Sequence, residues 1–279
     1  MMNLDRDSPH QESINLVSNP FIETNNYNNM FTKTMKSIVV LFLTSSLVSA
    51  AMAEEDLLPA NRPNFSSNAT VIPTNMCILE TGVTYQRLDS SLNLSGPEAA
   101  LRFGFAKNWE LAISLPGYVS GAAPRGWTDG GFNFIRQLPG CHGWDMLVAF
   151  GSSVPTGQSD LTQTAFNPHG YFSMAHGLPS GLSVTETFSV EWRNGGGSFF
   201  PSYANGLTLA KDCGHDVGAF AEIYSQFAPG QSTTQTAHFG VTFAHTKDHQ
   251  ADIHFGRNMT AGSGTNWFIG AGYSQKIGR

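Results

Sequence analysis

Residues 266–277 read NWFIGAGYSQKI, and here Trp267, Ile269, Ala271, Tyr273 and Ile277 alternate with Phe268, Gly270, Gly272, Ser274 and Lys276. A period of two places successive side chains on opposite faces, so this segment is a strand with one greasy and one small or polar side. The same reading extends outward. In 249–259, Ala251, Ile253 and Phe255 oppose Asp252, His254 and Gly256. In 236–247, Phe239, Val241 and Phe243 oppose His238, Gly240 and Thr242. In 217–228, Val217, Ala219, Ala221, Ile223 and Phe227 oppose Gly218, Phe220, Glu222, Tyr224 and Gln226. Upstream, strands are expected near 77–88, 98–106, 109–118, 129–138, 145–155, 168–178, 181–193 and 203–211, giving twelve. The stretches 129–138 and 203–211 are the least regular. Glu186 breaks the pattern, since it falls on the face that Val184, Phe188 and Trp192 mark as apolar.

The connections are sorted. Turns at 106–108, 177–180 and 247–248 are tight, with moderate loops at 139–144 and 212–216. Those near 89–97, 119–128, 156–167, 194–202, 228–235 and 259–265 read as longer and rich in Gly, Ser, Thr and Asn. Alternating short and long connections are the habit of a membrane-spanning barrel, whose periplasmic turns are short. Charged residues are only 13% of the chain, about half the ~25% usual for soluble domains, so little charge is available to solvate a soluble barrel's exterior. Trp109, Tyr118, Trp127, Trp144, Trp192, Trp267 and Tyr273 fall near strand ends, where interfacial girdles form. These features predict an all-β protein, an antiparallel transmembrane β-barrel of about twelve strands with its apolar face in lipid. Net charge is −6, which argues against a nucleic-acid partner. Charged residues at only 13% argue against a disordered chain, which high charge keeps expanded, and a single apolar run argues against a helical bundle.

That run lies in residues 35–53, MKSIVVLFLTSSLVSAAMA, with Lys33 and Lys36 flanking Ile38–Leu43 and a small-x-small end at Ala51-Met52-Ala53. It reads as a signal peptide cut after Ala53. Residues 1–34 read as an extension arising from a misassigned start. Residues 54–76 are a polar N-terminal segment, of which 61–74 could fold back to plug the lumen, and 77–279 form the barrel.

Several stretches resemble one family. Ala237–Ile277 looks like the closing hairpins of the meta-pathway phenol-degradation family of bacterial outer-membrane β-barrels, also described as transporters. The matching positions are Gln250, Asp252, Gly256, Arg257, Trp267, Phe268, Gly270, Gly272 and Ser274. Leu101–Pro116 is similar to its early hairpin, and Val154-Pro155-Thr156-Gly157 to its Pro-Thr-Gly strand end. The resemblance implies an outer-membrane channel or transporter for small, aromatic or hydrophobic molecules, with outer-membrane lipid and the barrel assembly machinery as partners. It departs at Ile277-Gly278-Arg279, where such barrels commonly finish on an aromatic residue.

Alternation turns Glu80, Arg102, Glu110, Glu222, Asp252, His254 and Lys276 toward the lumen. They would either line a selective path or pair with one another and fill a narrow barrel, which requires no transport role. Of three cysteines, Cys141 and Cys213 lie on turns of the same end and form a candidate disulfide; with His142 and His215 they could alternatively supply a zinc site. Cys77 reads as an isolated thiol facing lipid. No HExxH or GxSxG motif is present, and neither a cofactor nor an enzymatic activity is indicated. The alternatives are a lipid-acting outer-membrane hydrolase, for which His254 and Asp252 share a face, a purely structural barrel, or a soluble exported β domain.

Overall fold

The computed structural model describes residues 58–278 except 89–90, 122–123, 159, 196–197, 231 and 261–264; the extension and signal peptide read from residues 1–53 lie outside the described residues. The strands are β1 Cys77–Leu88, β2 Ser91–Gly96, β3 Ala100–Ala106, β4 Trp109–Ser114, β5 Tyr118–Gly121, β6 Gly126–Trp127, β7 Gly130–Cys141, β8 Trp144–Val154, β9 Asn167–Leu178, β10 Leu182–Gly195, β11 Ser198–Asp212, β12 Val217–Phe227, β13 Thr234–Thr246, β14 His249–Asn258 and β15 Thr265–Lys276. All pairings are antiparallel; most join consecutive strands, β1 also pairs with β3, β2 with β5 and β4 with β7, and β15 closes on β1 from Ile78↔Lys276 to Leu88↔Thr265.

The fifteen segments make twelve ring positions, because three staves are cut. β2 and β3 both pair with β1, at its two ends, and are separated at Pro97. β4 and β5 are separated at Pro116, and β6 and β7 at residues 128–129. Proline has no N–H to give the ladder. Single bonds bridge the gap, from Glu98 N to Gly82 O, Leu115 N to Ala99 O and Thr128 N to Gly117 O.

The wall is inverted relative to a soluble barrel. Val83, Phe105, Val148, Phe150, Leu207, Leu209, Ile223, Ile253, Phe255 and Ile269 are exposed on the outside, while Glu80, Arg102, Glu110, Thr187, Thr208, Glu222, His238 and Asp252 are buried within. In water such an apolar band would be unfavourable at roughly 25 cal/mol per Å², whereas hydrocarbon accepts it. Aromatic pairs mark both rims of the band. Trp144 stacks on His176 and His249 on Tyr273 at the short-turn end; Tyr85 meets Trp267, Tyr118 meets Trp127 and Tyr203 meets Phe227 at the other. The fold is an antiparallel transmembrane β-barrel of twelve ring strands.

Two sequence expectations need correction. The stretches 89–97 and 194–202, expected as long loops, are mostly strand: β2 occupies Ser91–Gly96, and β10 and β11 run on to Gly195 and from Ser198. In β2 the alternation persists, with Leu92 and Leu94 exposed and Asn93 buried, but it rests on two apolar residues only; at the ends of β10 and β11 the hydrogen-bond ladder runs on past the regular apolar alternation. The pairing runs unbroken through Glu186, which points outward with Val184 and Phe188 as the alternation reads. Its Oε1 accepts from Asn205 Nδ2 at 3.4 Å.

Candidate functional site

The lumen holds the chain's own residues 58–76. Carboxylates on the wall accept the backbone N–H groups of this irregular segment, which has no ladder of its own. Asn61 N donates to Glu80 Oε1 at 2.9 Å, and Phe65 N and Ser66 N donate to the two oxygens of Glu222 at 3.0 and 2.7 Å. Ile72 N donates to Glu110 Oε2 at 3.0 Å. Gln137 accepts from Val71 N and donates to Ala69 O, and Ser173 Oγ donates to Ser67 O. Apolar contacts complete the fit. Val71 packs on Ile135, Leu147 and Ala149; Leu58 and Ile72 pack on Ile78; and Phe65 stacks on Tyr224 at 4.5 Å.

The wall groups fall into two clusters. In the first, Arg102 on β3 is forked onto Glu110 of β4, with Nε–Oε1 2.6 Å and Nη2–Oε2 2.9 Å, while Nη1 donates to Glu80 of β1 at 2.9 Å and to Pro59 O at 2.6 Å. A guanidinium presents its donors in a planar fork that fits a carboxylate with two bonds. In the second, Glu222 of β12 also accepts from Thr208 Oγ1 at 2.9 Å, and His238 Nδ1 lies 2.8 Å from its Oε2. His238 Nε2 is in turn 3.0 Å from His254 Nδ1. Nearby, Arg62 of the lumen segment reaches Asp252 at 3.4 Å and Glu98 at 3.2 Å. Its guanidinium lies flat on β1 and β15, in space that a Cβ at Gly82 or Gly272 would occupy.

Of the residues singled out in the sequence, Glu80, Arg102 and Glu110 meet in one cluster, and Glu222 and His254 are linked through His238, with Asp252 close by on β14. Lys276 joins neither; it sits at the short-turn rim, 3.5 Å from Asp248. Sequence reading passes over Arg62 and Glu98, which lie outside the regular strands, and His238, whose place opposite Phe239 was its only signal. No serine hydroxyl is hydrogen-bonded to His238 or His254 among the described residues, so the acid–imidazole string has no attached nucleophile.

The candidate disulfide is not formed. Cys141 and Cys213 are free and exposed, and Cys77 is free and half-buried at the start of β1. Cys141 ends the fourth ring strand and Cys213 follows the eighth. At about 4.8 Å per strand the wall separates them by roughly 19 Å, far beyond the ~4.4–6.8 Å between Cα atoms that a disulfide spans. The two Cys–His pairs are therefore not brought together as zinc ligands either.

Two cavities flank the lumen segment. One of about 410 Å³ opens where the staves are cut, among Arg62, Glu80, Ser95, Glu98, Ser114 and Thr128. The other, about 290 Å³, lies toward the long-loop end against β1 and β12–β15.

No protein-family model matches the chain, and no curated protein resembles it in sequence. Solved structures do resemble it in fold. An outer-membrane channel from Pseudomonas putida F1 aligns over 78% of this chain and 100% of its own, with 12% identity and a TM-score of 0.59. The KdgM porin in complex with disordered oligogalacturonate aligns over 71% and 99%, with 11% identity and a TM-score of 0.54. The NanC porin aligns over 71% and 100%, with 9% identity and a TM-score of 0.54. The architecture is thus one that outer-membrane channels and porins use.

Proposed function

We propose that this protein is an outer-membrane channel for small molecules whose lumen is closed by residues 58–76 acting as a plug. The observation that carries this reading is the set of wall carboxylates, Glu80, Glu110 and Glu222, holding backbone amides of that segment across the barrel interior. Such bonds are individually modest, at about 1.5–3 kcal/mol for a charged acceptor, and can be exchanged for water as a segment moves aside. Export would use the signal at residues 35–53 and insertion the barrel assembly machinery, with outer-membrane lipid around the apolar band.

The resemblance to the phenol-degradation barrels favours small aromatic or hydrophobic solutes. Among the buried lumen charges Glu80, Glu110, Glu222 and Asp252 face Arg102, with Arg62 partly exposed beside them, and this excess of acid opposes passage of a polyanion such as the oligogalacturonate seen with KdgM. Planar-bilayer recording tests the proposal. The full chain should show small unitary currents, and deletion of 58–74 should raise them several-fold. Equal currents in both would remove the plug, and absence of current in both would remove the channel.

A further inference from the structure

The smaller cavity has a lining unlike the rest of the lumen. Gln86 on β1, Tyr224 and Gln226 on β12, Thr234 on β13, Asn258 on β14 and Phe268 on β15 converge on it. Among the described residues, none of its lining side chains is charged. The amides of Gln86 and Gln226 make no hydrogen bond to other described residues. They therefore present donors and acceptors to whatever enters. Two rings bound the space. Tyr224 already has Phe65 on one face, and Phe268 stands edge-on to His254 at 5.9 Å. Below lies His254, only 7% exposed, whose Nε2 has no hydrogen-bond partner and lies over Gly270, the cross-strand neighbour of the lining residue Thr84.

We infer that this cup binds an uncharged ring bearing hydroxyl groups, taken from the long-loop side before passage; the inference rests on the channel reading and names its solute class. Volume limits the ligand to about one ring, since ~300 Å³ is the lower end of small-molecule sites. Charge is disfavoured because a carboxylate would be desolvated with no cation in the lining and with Glu222 beneath. Hydroxyls are required because a purely apolar ring would leave the Gln86 and Gln226 amides facing it unpaired. The shared chemistry has two sources, a saturated sugar ring or a phenolic one.

Saturation-transfer NMR on the full chain refolded in detergent distinguishes them, using methyl β-glucoside, catechol, glucuronate and toluene as probes. Binding of either hydroxylated neutral ring is expected, with glucuronate and toluene at least tenfold weaker; which neutral ring binds identifies the source. In Gln86→Leu/Gln226→Leu that binding should fall at least tenfold, with folding monitored by heat-modifiable gel mobility; should the pair not fold, Gln226→Leu alone should give a smaller loss. The inference is overturned if neither neutral ring binds, if glucuronate or toluene binds equally well, or if a folded variant binds undiminished. Absence of ring binding to the unmutated chain with normal currents would sink this inference alone, whereas ring binding without any current would sink the channel reading alone.

Discussion

The barrel has two unlike halves. From β8 to β15 the wall is made of continuous strands of 10 to 15 residues, whereas from β2 to β7 three adjacent staves are cut at one level by Pro97, Pro116 and residues 128–129. Each half carries its own lumen cluster, and the chemistry differs accordingly. On the cut side Arg102 sits between two carboxylates on the neighbouring strands, so an ionic lacing joins β1, β3 and β4 where ladder bonds are lost above them. On the continuous side Glu222 joins its neighbouring strands through the Thr208 hydroxyl and the His238 imidazole, with no arginine, and gives its other lone pairs to two amides of the lumen segment. Where the staves are cut an arginine fork ties the strands; where they are whole, neutral hydrogen-bonding groups and the occupant share the acid.

That contrast can be broken most severely at Arg102. Arg102→Ala leaves Glu80 and Glu110 buried without a counter-ion, and unfolding in urea from lipid vesicles should show a loss of about 3–5 kcal/mol. A loss under about 1 kcal/mol would show that the cut side is not laced by this trio. Glu222→Ala should destabilise by a smaller amount, about 2–3 kcal/mol, but should also raise bilayer conductance by freeing Phe65 and Ser66. Unchanged current in a folded Glu222→Ala barrel would show that Glu222 is dispensable for holding the plug. Glu186→Leu removes a carboxylate from the lipid face of the continuous half and should raise stability by about 1 kcal/mol in the same assay. The smallest effect is expected of Pro116→Ala, which returns one N–H donor to the third ring strand. Hydrogen exchange at Leu115 and Gly117 should slow, with a stability gain of about 0.5–1 kcal/mol.

The continuous half was the more legible in the sequence. Ala251, Ile253 and Phe255 can face only lipid, and Asp252, His254 and Gly256 only the interior, so one-dimensional alternation suffices to place them. The cut half hides its architecture. Pro97 and Pro116 interrupt staves without shifting the face of the residues around them, and β2 is a six-residue strand whose alternation rests on Leu92 and Leu94 alone. The individual lumen acids could be named because each lies in a strand whose other face is greasy. Their grouping could not. Arg62 stands 190 residues from Asp252 in the chain, in a segment with no period, and the string from Glu222 through His238 to His254 depends on the register of three strands at once. Glu186 was readable as an anomaly, and only the outward bond to Asn205 shows that it is a polar spot on a lipid face.

The bare backbone at Gly82 and Gly272 shapes the barrel interior by omission. The first and last strands meet there, and the flat floor they share is what lets the Arg62 guanidinium lie down. Adding one methyl group at either position would lift that cation off the seam and, with it, the stretch of chain it pins. The seat of residues 58–76 is therefore set from the wall itself, by the absence of a single carbon atom at each of two facing positions.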